Sequence, residues 1–280
     1  MHDTEKMTFG AVVVLYDPTK EEIENINTYK DLVDWTVVID NSDDDYTEVV
    51  KQLIGGSSKV EYHSKKMNLG LCKALNIGVE ILMKKGCKFA LMFDADSKIE
   101  YDAISVYKNA IQSYENTIDD IALFAPVHVF DRSNNKPYQG YKNVEWVMTS
   151  GCLFNCAVFK KQGGFMEELF VDGLDIDYCY KSHENGYKVI ECGEAIIMHH
   201  PAETKTFLGF KYGISSPNRY FMQTRSLIWC WRRYKKPKLF CFYLYKWMKV
   251  LLFFPRKKEY IREMIKGTKE GKKLLVKYVK

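Results

Sequence analysis

Two short acidic clusters contain the side chains best suited to chemistry. Asp94 and Asp96 follow a run of apolar residues, where a buried strand is expected to end. Carboxylates in that position suit Mg²⁺ or Mn²⁺, which takes one or two carboxylates together with substrate phosphates. An Asp pair also occurs in turns and helix caps, so the pattern alone leaves both interpretations open.

The second cluster contains Asp172, Asp175 and Asp177, beside a helix predicted over 177–185. The helix dipole favours a carboxylate in the first turn, and Asp177 fits that structural role best. Asp175 is then the better candidate for a general base. His199 closes a further apolar run, and its imidazole suits either a metal ligand or a local hydrogen bond.

A parallel sheet would bring such residues together. Short Val-rich runs bounded by polar residues are typical of buried parallel strands. The predicted order is strand 9–15, helix 21–33, strand 36–39, strand 59–63, helix 71–85 and strand 89–93, with further strand-like runs at 122–130 and 189–198. This alternation predicts an α/β sheet that binds ligands beyond the carboxyl ends of its strands, next to Tyr16, Asp40 and Asp94.

The charge of the chain is unevenly distributed. The 280 residues are 46% apolar and 28% charged, as in a globular protein, with a net charge of +5. Residues 219–280 contain 19 Lys and Arg against three Asp and Glu, whereas residues 1–218 contain 22 against 33. We therefore predict a domain over 1–218 and a basic, partly amphipathic helical region over 219–280.

The cysteines, the N-terminus and the most apolar segment indicate where in the cell the protein is located. The eight cysteines include no CxxC pair, and the N-terminus lacks the basic start and apolar run of a signal peptide. The most apolar stretch, 239–254, contains two lysines and is shorter than the ~20 residues of a spanning helix. We expect reduced thiols, no transmembrane span and a cytoplasmic protein.

Several motifs follow one another in a specific order. They are D-N-S at 40–42, N-L-G-L-C-K-A-L-N-I-G at 68–78, F-D-A-D-S at 93–97, T-S-G-C-L at 149–153, D-G-L-D-I-D at 172–177, the histidine at 199 and S-P-N-R-Y-F-M-Q-T-R-S at 216–226. Over roughly residues 9–235, this order resembles glycosyltransferase family 2, the inverting enzymes that use nucleotide sugars. Within that family it is most similar to the rhamnosyltransferase-like branch.

The resemblance implies a GT-A fold, in which a Rossmann-like nucleotide-binding half is fused to an acceptor half around a mixed central sheet. Asp40 would accept a hydrogen bond from the imide N–H of uracil or thymine, because a base with that donor needs an acceptor opposite it. Tyr16 would flank the base. Asn68 and Lys73 would lie on the same donor side, although Lys73 equally fits a solvated helix position.

The resemblance also implies how the diphosphate is managed. Asp94 and Asp96 would hold Mn²⁺ or Mg²⁺ and the ribose–diphosphate, with His199 as a further metal ligand. The metal charge offsets that of the departing diphosphate. Arg225 would contact the diphosphate, and a helix-surface position is its alternative. Ser226 follows Arg225 where the family has Asn.

Inversion requires a base on the face of the sugar opposite the diphosphate, and Asp175 matches the family position for it. Such a base typically contributes ~10²–10⁴-fold to the rate. The family often has Glu immediately before this Asp, whereas this chain has Leu174. Asp172 is therefore a rival for the same role.

The expected partners follow from the same resemblance and from the charge of the C-terminal region. The donor would be dTDP-rhamnose or a UDP-hexose, and the acceptor a glycan or lipid-linked oligosaccharide in surface polysaccharide synthesis. In a helix over 237–254, Lys238, Lys246, Lys249 and the following Arg256 would share one face, and apolar residues would cover much of the rest. This pattern suits an anionic surface at the inner face of the cell membrane, with packing on the domain as the alternative. No nucleic-acid-binding motif accompanies the basic segment.

Two other functions compete with the transferase. The segment L-M-F-D-A-D-S also resembles the nucleophile motif of haloacid-dehalogenase-like phosphohydrolases. That motif normally opens a chain, whereas here strand and helix patterns precede it. The second rival is a non-catalytic subunit that binds sugar nucleotides or glycans on a retained fold. The presence of Asp40, Asp96 and Asp175 together favours the transferase.

Overall fold

The computed structural model describes residues 7–99, 102–130, 135–198, 203–207 and 210–278. The strands are β1 (Phe9–Leu15), β2 (Trp35–Asp40), β3 (Val60–Ser64), β4 (Phe89–Asp94), β5 (Lys98–Ile99), β6 (Ile121–Val129), β7 (Tyr141–Asn143), β8 (Leu153–Asn155), β9 (Lys188–Met198), β10 (Glu203–Phe207) and β11 (Phe210–Ile214). The helices are α1 (Lys20–Glu24), α2 (Thr47–Ile54), α3 (Leu71–Lys84), α4 (Ala103–Ser113), α5 (Cys156–Lys161), α6 (Leu174–Glu184), α7 (Pro217–Tyr234), α8 (Pro237–Phe253) and α9 (Lys257–Tyr278). Short 3₁₀ turns cover Asn25–Thr28, Glu115–Asp120 and Glu167–Leu169.

The central sheet is mixed. Within the described residues, nine strands form it in the order β3-β2-β1-β4-β8-β6-β9-β5, with β7 paired to β9. The strands β1 to β4 run parallel, and β8 runs antiparallel to β4 and β6. Successive residues alternate between faces, so Val12 belongs to the core beneath α3, α5 and α6, and Val13 to the core beneath α1, α2 and α4. The predicted α/β architecture is confirmed.

Two helix predictions need correction. The helix predicted over 21–33 is the short α1 followed by a 3₁₀ turn, in which the Thr28 hydroxyl donates to the Asn25 carbonyl (2.7 Å), a local side-chain bond of the kind that competes with helix continuation. The helix predicted over 177–185 begins earlier, at Leu174. Its N-cap is Gly173 with φ 82°, and a Cβ there would lie 2.8 Å from Cβ of Ser226. The left-handed φ and the close approach of Ser226 therefore require glycine at this N-cap.

The basic C-terminal region is helical and packs on the rest of the protein. The predicted boundary after residue 218 falls in the first turn of α7, and the division into two parts stays a prediction. Leu239, Val250 and Phe254 are buried. The predicted basic face of α8 is only partly exposed: Lys238 is exposed, whereas Lys249 is 7% exposed and donates to the Gly213 carbonyl (2.9 Å). None of the described helices combines the length and apolarity that crossing a membrane requires.

Candidate functional site

The carboxyl ends of three parallel strands lie side by side. Leu15 of β1 pairs with Asp40, and Val14 pairs with Asp94. The strands therefore deliver Asp40, Asp94 and Tyr16 to one edge of the sheet. This is the edge at which the strand pattern predicts a binding site.

Asp40 is fixed beneath the surface of this edge. It has no exposed surface, and its carboxylate accepts hydrogen bonds from the Ser42 backbone N–H (2.9 Å), the Ser42 hydroxyl (2.5 Å) and the Tyr62 hydroxyl (2.5 Å). All three donors belong to the chain itself, so the carboxylate is held in one orientation at the end of β2. Its role toward a nucleotide base stays a prediction.

Asp94 and Asp96 flank a turn that serine side chains hold in place. The Asp94 N–H donates to the Ser150 hydroxyl (3.1 Å), which in turn donates to the Ser97 hydroxyl (2.8 Å). The Ser97 N–H closes the turn on the Asp94 carbonyl (3.1 Å). Asp94 is partly exposed and Asp96 exposed. The turn thus presents two carboxylates to solvent at the strand end.

These two carboxylates fit a divalent metal that takes its remaining ligands from a substrate and from water. Within the part of the chain that the structure describes, no three His, Cys, Asp or Glu side chains form a metal-binding group of their own. Mg²⁺ and Mn²⁺ typically use one or two carboxylates and complete their shell with water and phosphate oxygens. The proposed third ligand, His199, lies outside the described residues.

One cleft opens beside Tyr16 and Asn41 and has a volume of about 360 Å³. We call it the strand-edge cleft. Its lining also includes Val14, Asn68, Gly70, Phe170, Val171 and Arg219. Asn68 accepts the Gly70 N–H (2.9 Å), and Asn41 donates to the Gly70 carbonyl (3.2 Å). Both side chains thus hold the start of α3 against the cleft.

A second cleft, here the helix cleft, has a volume of about 390 Å³ and lies between α6 and the C-terminal helices. Its lining includes Trp146, Asp172, Asp175, Gln223, Phe242, Tyr245 and Lys246. The C-terminal region therefore builds one wall of a cleft whose opposite wall carries the candidate bases. Sequence reasoning missed Trp146, Gln223, Phe242 and Tyr245, because only packing brings them together.

An ion pair joins the two clefts. Arg219, from the strand-edge cleft, pairs through Nε with Oδ2 of Asp172, from the helix cleft, at 3.0 Å. Burial raises the pKa of the Asp172 carboxyl, and the positive charge of Arg219 partly offsets that rise. Asp172 therefore has a cationic partner within contact distance.

Asp175 lies in the first turn of α6 and lines the helix cleft. Its carboxylate accepts the backbone N–H of Ile176 (2.8 Å). Burial raises the pKa of the Asp175 carboxyl to about 6, and the negative charges of Asp172 and Asp94 contribute to that rise. A carboxyl group with such a pKa both takes and releases a proton near neutral pH.

The remaining predicted residues have structural contacts. Asp177 is in the first turn of α6, as predicted, and accepts the Tyr234 hydroxyl (2.6 Å). Lys73 pairs with Glu167 (3.4 Å), and both side chains are about half exposed. Arg225 donates from Nη2 to the carbonyls of residues 168 and 169, each at 2.7 Å. The roles of Lys73 and Arg225 toward a ligand stay predictions.

Comparison of the sequence with known proteins identifies relatives. The family model described as Glycosyl transferase family 2 matches residues 20–162. A protein named dTDP-rhamnosyl transferase RfbF, from Shigella flexneri, is 25% identical over 290 residues, which cover 93% of this chain and 94% of that protein.

Comparison with solved structures supports the fold. GalNAc-T7 with UDP, GalNAc and Mn²⁺ has a TM-score of 0.62 at 13% identity, covering 99% of this chain and 58% of that one. This chain therefore spans little more than half the length of GalNAc-T7. S. aureus TarS 1–349 in complex with UDP-GlcNAc has a TM-score of 0.61 at 14% identity, covering 96% and 84%. These similarities confirm the predicted GT-A fold.

We predict that Asp175→Asn stabilises the protein at neutral pH. The folded-state pKa of about 6 exceeds the usual 3.8, so the folded protein binds this proton more tightly than the unfolded chain. The associated stability is present below pH ~4 and is lost as pH rises through 6. The thermal midpoint of Asp175→Asn should exceed that of the wild type by a few degrees at pH 8 and match it at pH 4. Asp96→Asn, an exposed carboxyl, is the control, and an equal pH dependence in both variants would contradict the assignment.

Proposed function

Because the chain belongs to glycosyl transferase family 2, we propose that it moves a sugar from a nucleotide-diphosphate donor in the strand-edge cleft to an acceptor hydroxyl in the helix cleft, with inversion. The observation that carries this proposal is the position of Asp175. Its carboxylate, with a raised pKa, faces the helix cleft, and the Asp172–Arg219 pair alongside it reaches the strand-edge cleft.

The donor is dTDP-rhamnose or a UDP-hexose. The name of the S. flexneri relative supports a dTDP sugar, and the complexes of GalNAc-T7 and TarS support uridine nucleotides. Tyr16 is 54% exposed at the mouth of the strand-edge cleft, where its ring is free to flank a base. Asp40, beside it at the strand ends, is the acceptor for the base imide.

Asp94 and Asp96 hold Mn²⁺ or Mg²⁺ in this proposal. The bound ion would act as a Lewis acid that offsets the charge developing on the departing diphosphate. The chain's own contribution is the turn itself, because the hydroxyls of Ser150 and Ser97 and the Ser97 N–H hold the backbone that carries both carboxylates. His199 is the proposed further ligand.

Asp175 is the base. It accepts the proton of the acceptor hydroxyl as that oxygen bonds to the anomeric carbon, and the bond from that carbon to the diphosphate oxygen breaks. The nucleoside diphosphate leaves with the bonding electron pair. Asp172 is less suited to this task, because Arg219 stabilises its negative charge and so opposes protonation.

The acceptor is a glycan or a lipid-linked oligosaccharide. The helix cleft that would receive it has aromatic walls, formed by Trp146, Phe242 and Tyr245. Tyr245 also belongs to an exposed apolar face of α8 that includes Leu244, Met248, Leu251 and Leu252. The cleft therefore opens next to an apolar surface, which suits an acceptor whose glycan part is attached to a lipid.

The same face of α8 supports attachment to an anionic membrane surface. Four of its apolar side chains are between 45% and 59% exposed, and the region 219–280 around it has a large excess of Lys and Arg. Apolar burial in the interface and attraction to anionic lipids together favour a helix lying at the surface. The proposed location is the inner face of the cell membrane.

The roles of the two carboxylates are tested by replacing each one. Asp175→Asn should lower kcat at least ~10²-fold and leave donor affinity unchanged. Asp172→Asn should cause a smaller loss of kcat. The wild-type rate should rise with pH through about 6, because the base must be ionised. The measurement is release of UDP or dTDP from nucleotide sugars, with and without a glycan acceptor. A larger loss in Asp172→Asn would move the base to Asp172, and hydrolysis of simple phosphate esters alone would favour a phosphohydrolase.

Metal-dependent donor binding is tested through Asp96. Calorimetric titration of the wild type with UDP or dTDP should show binding in Mn²⁺ that EDTA weakens at least tenfold. Asp96→Asn should bind weakly in both conditions, because one of two metal-binding carboxylates is gone. Asp102→Asn, an exposed carboxyl just before α4, is the matched control and should bind as the wild type does. Equal affinity in Asp96→Asn and wild type would contradict the metal site.

Membrane attachment is tested with vesicles. The wild type should sediment with anionic vesicles at low salt and detach at high salt, because the attraction is screened. The double variant Leu251→Glu with Leu252→Glu should lose sedimentation, while Val49→Glu, an exposed position on α2, should retain it. Equal sedimentation with neutral vesicles would exclude the electrostatic part, and none at low salt would exclude attachment.

A further inference from the structure

Phe170 has an unusual backbone conformation. Its φ of 70° and ψ of −61° are those of a γ-turn with positive φ, and the Val171 N–H donates to the Leu169 carbonyl (2.8 Å), as that turn requires. A residue other than glycine is strained in this region. Such a turn persists only where the surrounding structure holds it.

Two elements hold this turn from opposite sides. From α7, Arg225 Nη2 donates to the carbonyls of Glu168 and Leu169, both at 2.7 Å. From α3, the Cys72 N–H donates to the Phe170 carbonyl (3.1 Å). Gly70 allows this approach, because a Cβ there would lie 2.5 Å from the Phe170 ring.

The turn begins the segment that divides the two clefts. Phe170 and Val171 line the strand-edge cleft, and Asp172 and Asp175 line the helix cleft. A change in the turn would therefore displace the carboxylates relative to the donor. Arg225 contacts the turn through backbone carbonyls, and it is absent from the residues that line either cleft.

We infer that Arg225 is a positioning residue, which holds the strained turn at Phe170 and so places Asp172 and Asp175 between the donor and the acceptor. The inference rests on the proposed function and assigns Arg225 a backbone partner in place of the diphosphate. Arginine suits the role because its guanidinium stays charged and the two N–H bonds of Nη2, held in the plane of the group, reach both carbonyls. The ammonium group of a lysine also has N–H donors, but it rotates freely on a flexible side chain and does not hold them in a fixed plane.

The test compares Arg225→Gln and Arg225→Lys with Arg232→Gln, an exposed arginine further along α7. Rates are normalised to the amount of protein that binds UDP, so that loss of folded protein does not count. Arg225→Gln should lower kcat at least tenfold with donor affinity within twofold of the wild type, and Arg225→Lys should recover part of the rate. The apparent pKa of the rate should fall from about 6 toward that of an ordinary aspartate, because a displaced Asp175 gains solvent. Arg232→Gln should match the wild type.

Two outcomes would overturn the inference. A tenfold loss of donor affinity with kcat unchanged at saturation would place Arg225 on the diphosphate. An unchanged kcat and pH profile would leave it without a role in the reaction. Hydrogen exchange tests the clamp independently of the proposed function. The Cys72 amide should exchange faster in Arg225→Gln than in the wild type, even if the wild type transfers no sugar. Unchanged exchange of that amide would overturn the clamp itself.

Discussion

Asp94, Asp172 and Asp175 concentrate negative charge in one partly buried region, and the charges of the first two raise the pKa of the third. The positive charges of Arg219, Lys246 and Arg225 partly offset it at Asp172. Arg219 pairs with Asp172, and further ion pairs join the C-terminal helices to the acidic part of the chain, at Arg233–Glu184 and Lys238–Glu145. The uneven charge of the sequence is thus partly an internal complementarity, in which basic residues of α7 and α8 pair with acidic residues that precede them in the chain.

The sheet register explains why residues far apart in sequence meet. Parallel pairing of β1 with β2 and β4 places Asp40 and Asp94 at one edge, and the antiparallel β8 brings Ser150 to the backbone of Asp94. The segment 170–173 lies between the two clefts and leads into α6. The first turn of α6 carries Asp175, which lines the helix cleft. The strand-edge cleft therefore depends on regular β pairing, whereas the division between the clefts depends on a strained turn held by α3 and α7.

The sequence alone predicts the first of these features and misses the second. Val-rich runs and polar strand ends reveal β1, β2 and β4, because burial of a parallel strand constrains residue type locally. The glycine at the N-cap of α6 is required by the close approach of Ser226, and the turn at Phe170 is held by Arg225. Both contacts join residues more than fifty positions apart, so no local pattern reports them. The sequence pattern therefore predicts a start of α6 about one turn too late, which leaves Asp175 outside the helix.

The helix α8 shows a second limit of sequence patterns. Its apolar residues cover more than one side, so periodicity alone does not identify the buried side. Leu239 is buried in the core cluster that includes Trp229 and Tyr234 of α7, and Val250 in the cluster with Tyr212 of β11, while Lys249 reaches inward to a carbonyl. Leu251 and Leu252 lie on the side of the helix that faces away from these contacts, and both remain exposed. One helix therefore forms both a wall of the helix cleft and an outward apolar surface, and Tyr245 belongs to both.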